Sequence, residues 1–236
     1  MSVALLFSPQ GAQRVGMGHE LAATSDAARD VFRVADATLG WPVSELCWNG
    51  PGDRLDDTRQ TQPCLFTTSV AAYAALRERS DPRPAYVAGH SVGEYAALVA
   101  AGVLDVADGV RLVARRGSLM ADHAAGGGMA AVLGLERDAI AAVVDGIDGA
   151  VVANDNAPGQ VVISGTDDAL ARATDVLRAA GARRVLPLAV SGPFHSPAMD
   201  PVAAALRTAF EELTWRDAHP PVVSNVSGRP LTDRTE

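Results

Sequence analysis

Apolar residues along this chain come in two textures: short uninterrupted runs, and longer stretches where they recur every three or four positions. Val3-Ala4-Leu5-Leu6-Phe7 is a run, which predicts a strand buried on both faces. Ser8-Pro9-Gln10-Gly11 closes it with a loop signal. Helical patterning follows from Glu20 to Ala37 and from Pro63 to Arg77, with Pro63 expected at the first helical position, where its missing N–H loses no bond. Tyr86-Val87-Ala88 is a second run, and Glu94-Tyr95-Ala96-Ala97-Leu98-Val99 reads as helix. Asp105 is then placed to cap a helix running through Leu112 to Met120. Buried strands alternating with helices predict an α/β fold with a parallel sheet.

The rhythm changes after Ala124-Ala125-Gly126-Gly127-Gly128, a hinge-like break. Beyond it the pattern predicts a strand (129–135), a helix (137–144), a strand (150–154), a turn (156–159), a strand (160–164), a helix (167–180) and a strand (184–190). Gly181 stands where a helix C-terminal cap is needed. This β-α-β-β-α-β order is the ferredoxin-like pattern. It predicts a small subdomain over residues 126–194, inserted into a larger one formed by 1–125 and 195–236. A cleft between two such subdomains is a favoured place for a ligand. Asn154 and Asn156 read as turn residues.

Composition narrows the function classes. With 236 residues the chain can bury a sizeable core, and 48% hydrophobic with 5% aromatic content suits helices over buried strands. A formal charge of −8 argues against nucleic acid as a partner, and no apolar run approaches a membrane span. The N-terminus lacks the basic start of a secretory leader, so a cytoplasmic protein is expected. Cys47 and Cys64 form no CxxC and read as buried apolar fillers rather than a disulfide or metal pair, so no metal is expected.

The chemistry concentrates at Gly89-His90-Ser91-Val92-Gly93, set between the second apolar run and a helix. Strand, Gly-x-Ser-x-Gly and helix in that order make a nucleophile elbow, which lifts the Ser hydroxyl out of the sheet at a helix N-terminus. The Val92 amide is then free to stabilise an oxyanion. Of the five His, His90 adjoins Ser91 in sequence and should diverge from it. His195, in the Pro-flanked loop Ser191-Gly192-Pro193-Phe194-His195-Ser196-Pro197, is better suited to acid–base work.

The chain resembles the malonyl-CoA:acyl-carrier-protein transacylases and related acyltransferases. The resemblance is carried by Pro9-Gln10-Gly11-Ala12-Gln13, Gly16-Met17-Gly18, Thr61-Gln62-Pro63, the stretch from Gly89 to Val103, Arg115-Arg116-Gly117, Asn156-Ala157-Pro158-Gly159-Gln160 and Phe194-His195-Ser196. It implies an α/β-hydrolase-like core with a ferredoxin-like insertion. It implies Ser91 as nucleophile, His195 as general base and acid, and backbone N–H groups of Gln10 and Val92 as the oxyanion hole. Arg116 would hold the malonyl carboxylate, because a guanidinium fork matches a carboxylate bidentately. Arg115 reads as a solvated helix charge and Glu94 as a favourable charge at a helix N-terminus. Phe194, by crowding an α-methyl group, and Met120 are expected in the acyl pocket. The implied substrate is malonyl-CoA, with no bound cofactor. The implied partner is an acyl carrier protein bearing phosphopantetheine, served by a free-standing monomer.

Two features depart from the family pattern. Phe7-Ser8-Pro9-Gln10-Gly11 stands where the family has Phe-Pro-Gly-Gln-Gly. Family members also continue past the equivalent of Glu236 with a segment that orients the catalytic His, so the large subdomain is expected to be incomplete at its C-terminal part. The alternatives are a hydrolase clearing acyl groups from carrier proteins, which the carboxylate-binding Arg116 disfavours, and a non-catalytic docking fragment.

Overall fold

The computed structural model of the protein describes residues 3–235. In chain order it runs β1 (Ala4–Phe7), α1 (His19–Thr24), α2 (Asp26–Leu39), α3 (Val43–Asn49), α4 (Gly52–Asp56), α5 (Thr58–Arg79), β2 (Tyr86–Gly89), α6 (Gly93–Ala100) and α7 (Val106–Asp122). There follow β3 (Gly127–Leu133), α8 (Arg137–Val144), β4 (Ala150–Ala157), β5 (Gln160–Thr166), α9 (Asp167–Ala179), β6 (Arg184–Pro187), α10 (Asp200–Glu211), β7 (Val222–Val223) and β8 (Pro230–Leu231). The chain divides into two units, one of Met1–Ser118 with Ala209–Glu236, the other Leu119–Thr208. The second unit is wider than the 126–194 span read from the pattern, because the end of α7 and most of α10 belong to it. No helix among the described residues is long and apolar enough to cross a membrane.

The first unit holds a mixed sheet ordered β1-β2-β7-β8, parallel from β1 to β7 and closed by an antiparallel β7–β8 pair. β1 is an edge strand and not buried on both faces: Leu6 is 79% exposed. The apolar run sets strand formation, but burial depends on what covers each face, and only Leu5 and Phe7 are partly covered, Phe7 packing edge-on against Tyr73. The core of this unit gathers α2, α3 and α5 around Phe32, Leu46, Leu65, Phe66 and Val70.

Helix starts follow local chemistry. The helical stretch read from Glu20 onward is broken at Ser25, whose extended backbone ends α1 and whose hydroxyl accepts from the Ala28 N–H to start α2. Pro63 lies inside α5 rather than at its first position, because Asp57 caps the helix earlier by accepting from the Arg59 N–H. α5 is buried round much of its circumference, so its polar side chains need internal partners; the Thr61 hydroxyl donates to the carbonyls of Leu55 and Asp57. Cys47 and Cys64 are buried free thiols from α3 and α5, with Cys47 Sγ 3.8 Å from the Cys64 carbonyl oxygen. The adjacent Cys47 and burial push the Cys64 thiol far above its ordinary value.

In the second unit the elements run β3-α8-β4-β5-α9-β6 and the sheet is ordered β4-β5-β3-β6, antiparallel throughout. Its core joins Val132, Ile140, Val161, Ile163, Ala173 and Leu177. Asn154 and Asn156 lie in β4, not in a turn; Asn154 pairs with Val162, and the register shifts between Val152 and Asn154 and between Asp155 and Ala157 leave Ala153 and Asn156 as the extra residues. α9 ends before Gly181, which has φ +101°.

The Asp105 side chain accepts from the Asp108 N–H at 2.8 Å, satisfying one of the orphan donors at the start of α7. Asp105→Ala should lower the unfolding free energy by about 1 kcal/mol, and Asp105→Ser should recover most of it, as measured by urea unfolding followed by circular dichroism.

Candidate active site

The site begins with a steric constraint. A Cβ on Gly89 would sit 2.0 Å from the carbonyl carbon of Gly93, and a Cβ on Gly93 would sit 2.4 Å from the Phe7 carbonyl oxygen. Glycine at both ends is the only way for β2 to turn this sharply into α6 while β1 lies alongside. The His90 N–H donates to Phe7 O at 3.0 Å and ties the turn to β1. Between the glycines, Ser91 is held at φ +51°, a left-handed conformation that non-glycine residues adopt only under constraint. Val92 caps α6, so its N–H stands among the helix amides that have no intrahelical acceptor.

Arg116 projects from α7 and is only 9% exposed. Its Nη1 donates to Gln62 Oε1 at 2.7 Å and its Nη2 to Ser91 Oγ at 3.0 Å, and the guanidinium lies 5.7 Å from the Tyr95 ring centroid. Gly117 makes this possible: a Cβ there would meet the Thr58 carbonyl oxygen at 2.7 Å, so its absence lets α7 approach the start of α5, which carries Gln62. Among the described residues Arg116 forms no ion pair with a carboxylate. Burial pushes its guanidinium below the ordinary value, opposed by the nearby Tyr95 and Glu94. Burial likewise raises the Glu94 carboxyl, opposed by the N–H of Asn225 and by Arg116. Arg115 is exposed.

Gln10 lies in the loop after β1, and its Nε2 donates to Thr58 Oγ1 at 3.1 Å. Gln13 steadies the same loop, accepting from the Gly11 N–H at 2.7 Å and donating to Asp56 at 2.9 Å. The structure therefore brings Ser91, Arg116 and Gln62 into direct hydrogen-bond contact and anchors the Gln10 loop on α5. Met120, Phe194 and His195 belong to the second unit. There Met120 and Phe194 are buried, and His195 is exposed at φ +57°. Its loop is pinned by the Ser196 hydroxyl, which donates to the Pro193 carbonyl at 2.6 Å, and by Gly192, where a Cβ would clash with Ala124. Among the described residues no group of His, Cys, Asp or Glu is arranged to hold a metal.

Sequence reasoning missed two residues of this site. Gln62 was part of a motif but had no role, and Asn225, whose side chain binds the backbone of the elbow, carried no signal at all. Gln62 follows the polar run Thr58-Arg59-Gln60-Thr61, and nothing local sets it apart from those neighbours.

A serine at a strand–turn–helix elbow, next to a buried guanidinium, points to the class of α/β acyl-transferring enzymes. The chain belongs to the acyl transferase domain family, which it matches over residues 4–235. It is 43% identical to the malonyl CoA-acyl carrier protein transacylase of Bacillus subtilis, covering 99% of this chain and 75% of that one. It is 44% identical to the Escherichia coli K12 protein of the same name, covering 94% and 74%. Among solved structures it matches the acyl carrier protein S-malonyltransferase of Vibrio cholerae with a TM-score of 0.96 and 40% identity, covering all of this chain and 78% of that one. A malonyl-transacylase in complex with a type II PKS acyl-carrier protein matches with a TM-score of 0.95 and 38% identity, over 100% and 78% of the two chains.

Gln62→Ala would leave the buried Arg116 without its 2.7 Å acceptor. Because hydrogen bonds to charged groups are worth about 1.5–3 kcal/mol, urea unfolding should show a loss of that size.

Proposed function

We infer that this chain is an acyl-carrier-protein S-malonyltransferase, moving a malonyl group from malonyl-CoA to the phosphopantetheine thiol of a carrier protein. The observation that carries the reading is the buried Arg116 guanidinium 3.0 Å from Ser91 Oγ, with no ion-paired carboxylate among the described residues. A buried cation beside a nucleophile favours acyl groups that bring a carboxylate with them. The names of the relatives agree with it. The small unit is best described as ferredoxin-like and the large one as α/β-hydrolase-like, and the protein is taken to act in the cytoplasm as a monomer with no resident cofactor.

In the proposed cycle Ser91 Oγ attacks the thioester carbonyl while His195 accepts the hydroxyl proton. The N–H groups of Val92 and Gln10 hold the oxyanion. The C–S bond breaks, the CoA thiolate leaves with the proton from His195, and malonyl stays on Ser91 as an ester. The carrier thiol then gives its proton to His195 and attacks that ester, and Ser91 departs with the proton. Arg116 binds the malonyl carboxylate through both half-reactions. Phe194 and Met120 are assigned to the acyl pocket, where Phe194 disfavours an α-methyl branch by about 1–3 kcal/mol.

Mass spectrometry after mixing with malonyl-CoA should show a malonyl adduct on Ser91 that Ser91→Ala abolishes; an adduct on another residue would overturn the assignment. Arg116→Ala should shift the competition between malonyl- and acetyl-CoA toward acetyl by about 2–5 kcal/mol. Unchanged selectivity would remove the carboxylate role, and rapid loss of malonyl to water without a carrier would favour a hydrolase. His195→Ala should slow acylation and transfer together in stopped-flow assays, since one imidazole serves both.

A further inference from the structure

Asn225 sits on the loop between β7 and β8, and its contacts converge on the nucleophile elbow. Its Oδ1 accepts from the Ser91 backbone N–H at 2.8 Å, and its Nδ2 donates to the Gly89 carbonyl at 2.6 Å. Its own backbone N–H donates to Glu94 Oε1 at 2.9 Å. One residue thus grips the strand end, the nucleophile and the first turn of α6, from 134 positions away from Ser91. The placement follows from register. β7 lies parallel to β2 with Ala88 opposite Val223, so the chain two residues past Val223 emerges beside the elbow. Ser224 stiffens the loop there, accepting on its hydroxyl from the N–H groups of Val226 and Ser227, while the Ser224 carbonyl accepts from the Gly228 N–H.

We propose that Asn225 is a positioning residue for acylation, a role that rests on the reading of Ser91 as the nucleophile. The left-handed backbone at Ser91 persists only if its surroundings over-determine it. The Asn225 carboxamide does so by satisfying the Gly89 carbonyl and the Ser91 N–H at once, which fixes the peptide planes on both sides of His90. That fixes where Oγ points relative to Arg116. It also engages the Ser91 N–H, so that Val92 is the elbow amide left to the oxyanion. The Asn carboxamide suits this because it offers an acceptor and a donor on one planar group, and its short stem fits the span.

The test compares wild type with Asn225→Ala and Asn225→Asp in single-turnover acylation by malonyl-CoA across substrate concentrations. In parallel, Ser91 is labelled by diisopropyl fluorophosphate, and the folded fraction is taken from circular dichroism. Asn225→Ala should lower the maximal acylation rate by roughly tenfold to a hundredfold, because small misplacements of a nucleophile are heavily penalised. The half-saturating malonyl-CoA concentration should stay within about twofold, since Arg116 and Gln62 are untouched. Asn225→Asp keeps the acceptor for Ser91 N–H but loses the donor to Gly89, and should fall between the two. A maximal rate close to wild type in Asn225→Ala would overturn the proposal. So would a loss expressed in half-saturation alone, or one matching the unfolded fraction. If Asn225→Ala does not fold, Asn225→Asp decides on the same readouts. If malonyl-CoA fails to modify wild-type Ser91, the transferase reading falls, and the fluorophosphate labelling rates still decide whether Asn225 positions the hydroxyl.

Discussion

Three backbone segments meet at the elbow more closely than any side chain would permit, and the rest of the first unit is arranged around that meeting. Gly89, Gly93 and the end of β1 at Phe7 approach so tightly that a single Cβ at either glycine would overlap main-chain atoms. The approach forces Ser91 into its left-handed conformation and starts α6 directly behind it. Such strain survives where neighbours hold it from several sides, and here the holders are His90 N–H on Phe7 and the Asn225 carboxamide on Gly89 and Ser91.

The second organising element is a buried positive charge. Removing a guanidinium from water is costly, and Arg116 is compensated by the Gln62 amide, the Ser91 hydroxyl and the Tyr95 ring rather than by a carboxylate. Those hydrogen-bonding and ring partners are neutral. Glu94 is near enough to influence Arg116, yet its carboxyl is engaged by the Asn225 N–H. The polar residues of α5 serve the same arrangement: Thr61 secures the start of the helix and Gln62 meets the guanidinium.

Signals in the chain match the structure wherever their physics is local. Asp105 caps α7 because an acceptor three residues before an amide needs no distant partner, and the turn glycines around Ser91 announce a sharp reversal. The span of α8 is the one its pattern predicts, Arg137–Val144. Signals that depend on competition between neighbouring segments diverge from the structure. Pro63 looked like a helix start, but Asp57 is the better cap and begins α5 earlier. Asn154 and Asn156 carry turn chemistry, yet pairing with β5 along the sheet outweighs it, holding Asn154 opposite Val162 and leaving Asn156 at a register shift.

By itself, then, the sequence determined the strand–turn–helix around Ser91, the cap of α7, the span of α8 and the β-α-β-β-α-β order of the second unit. These follow from backbone sterics, capping and periodicity over a few residues. Only the tertiary structure decided that the apolar run at β1 is an edge with Leu6 in the open, that Gln62 and not a carboxylate receives Arg116, and that Asn225 reaches the elbow. Each of these depends on strand register and on how closely helices approach, as at Gly117 against Thr58. Contacts between residues so distant in the chain leave no local periodicity to read, because they are created by packing.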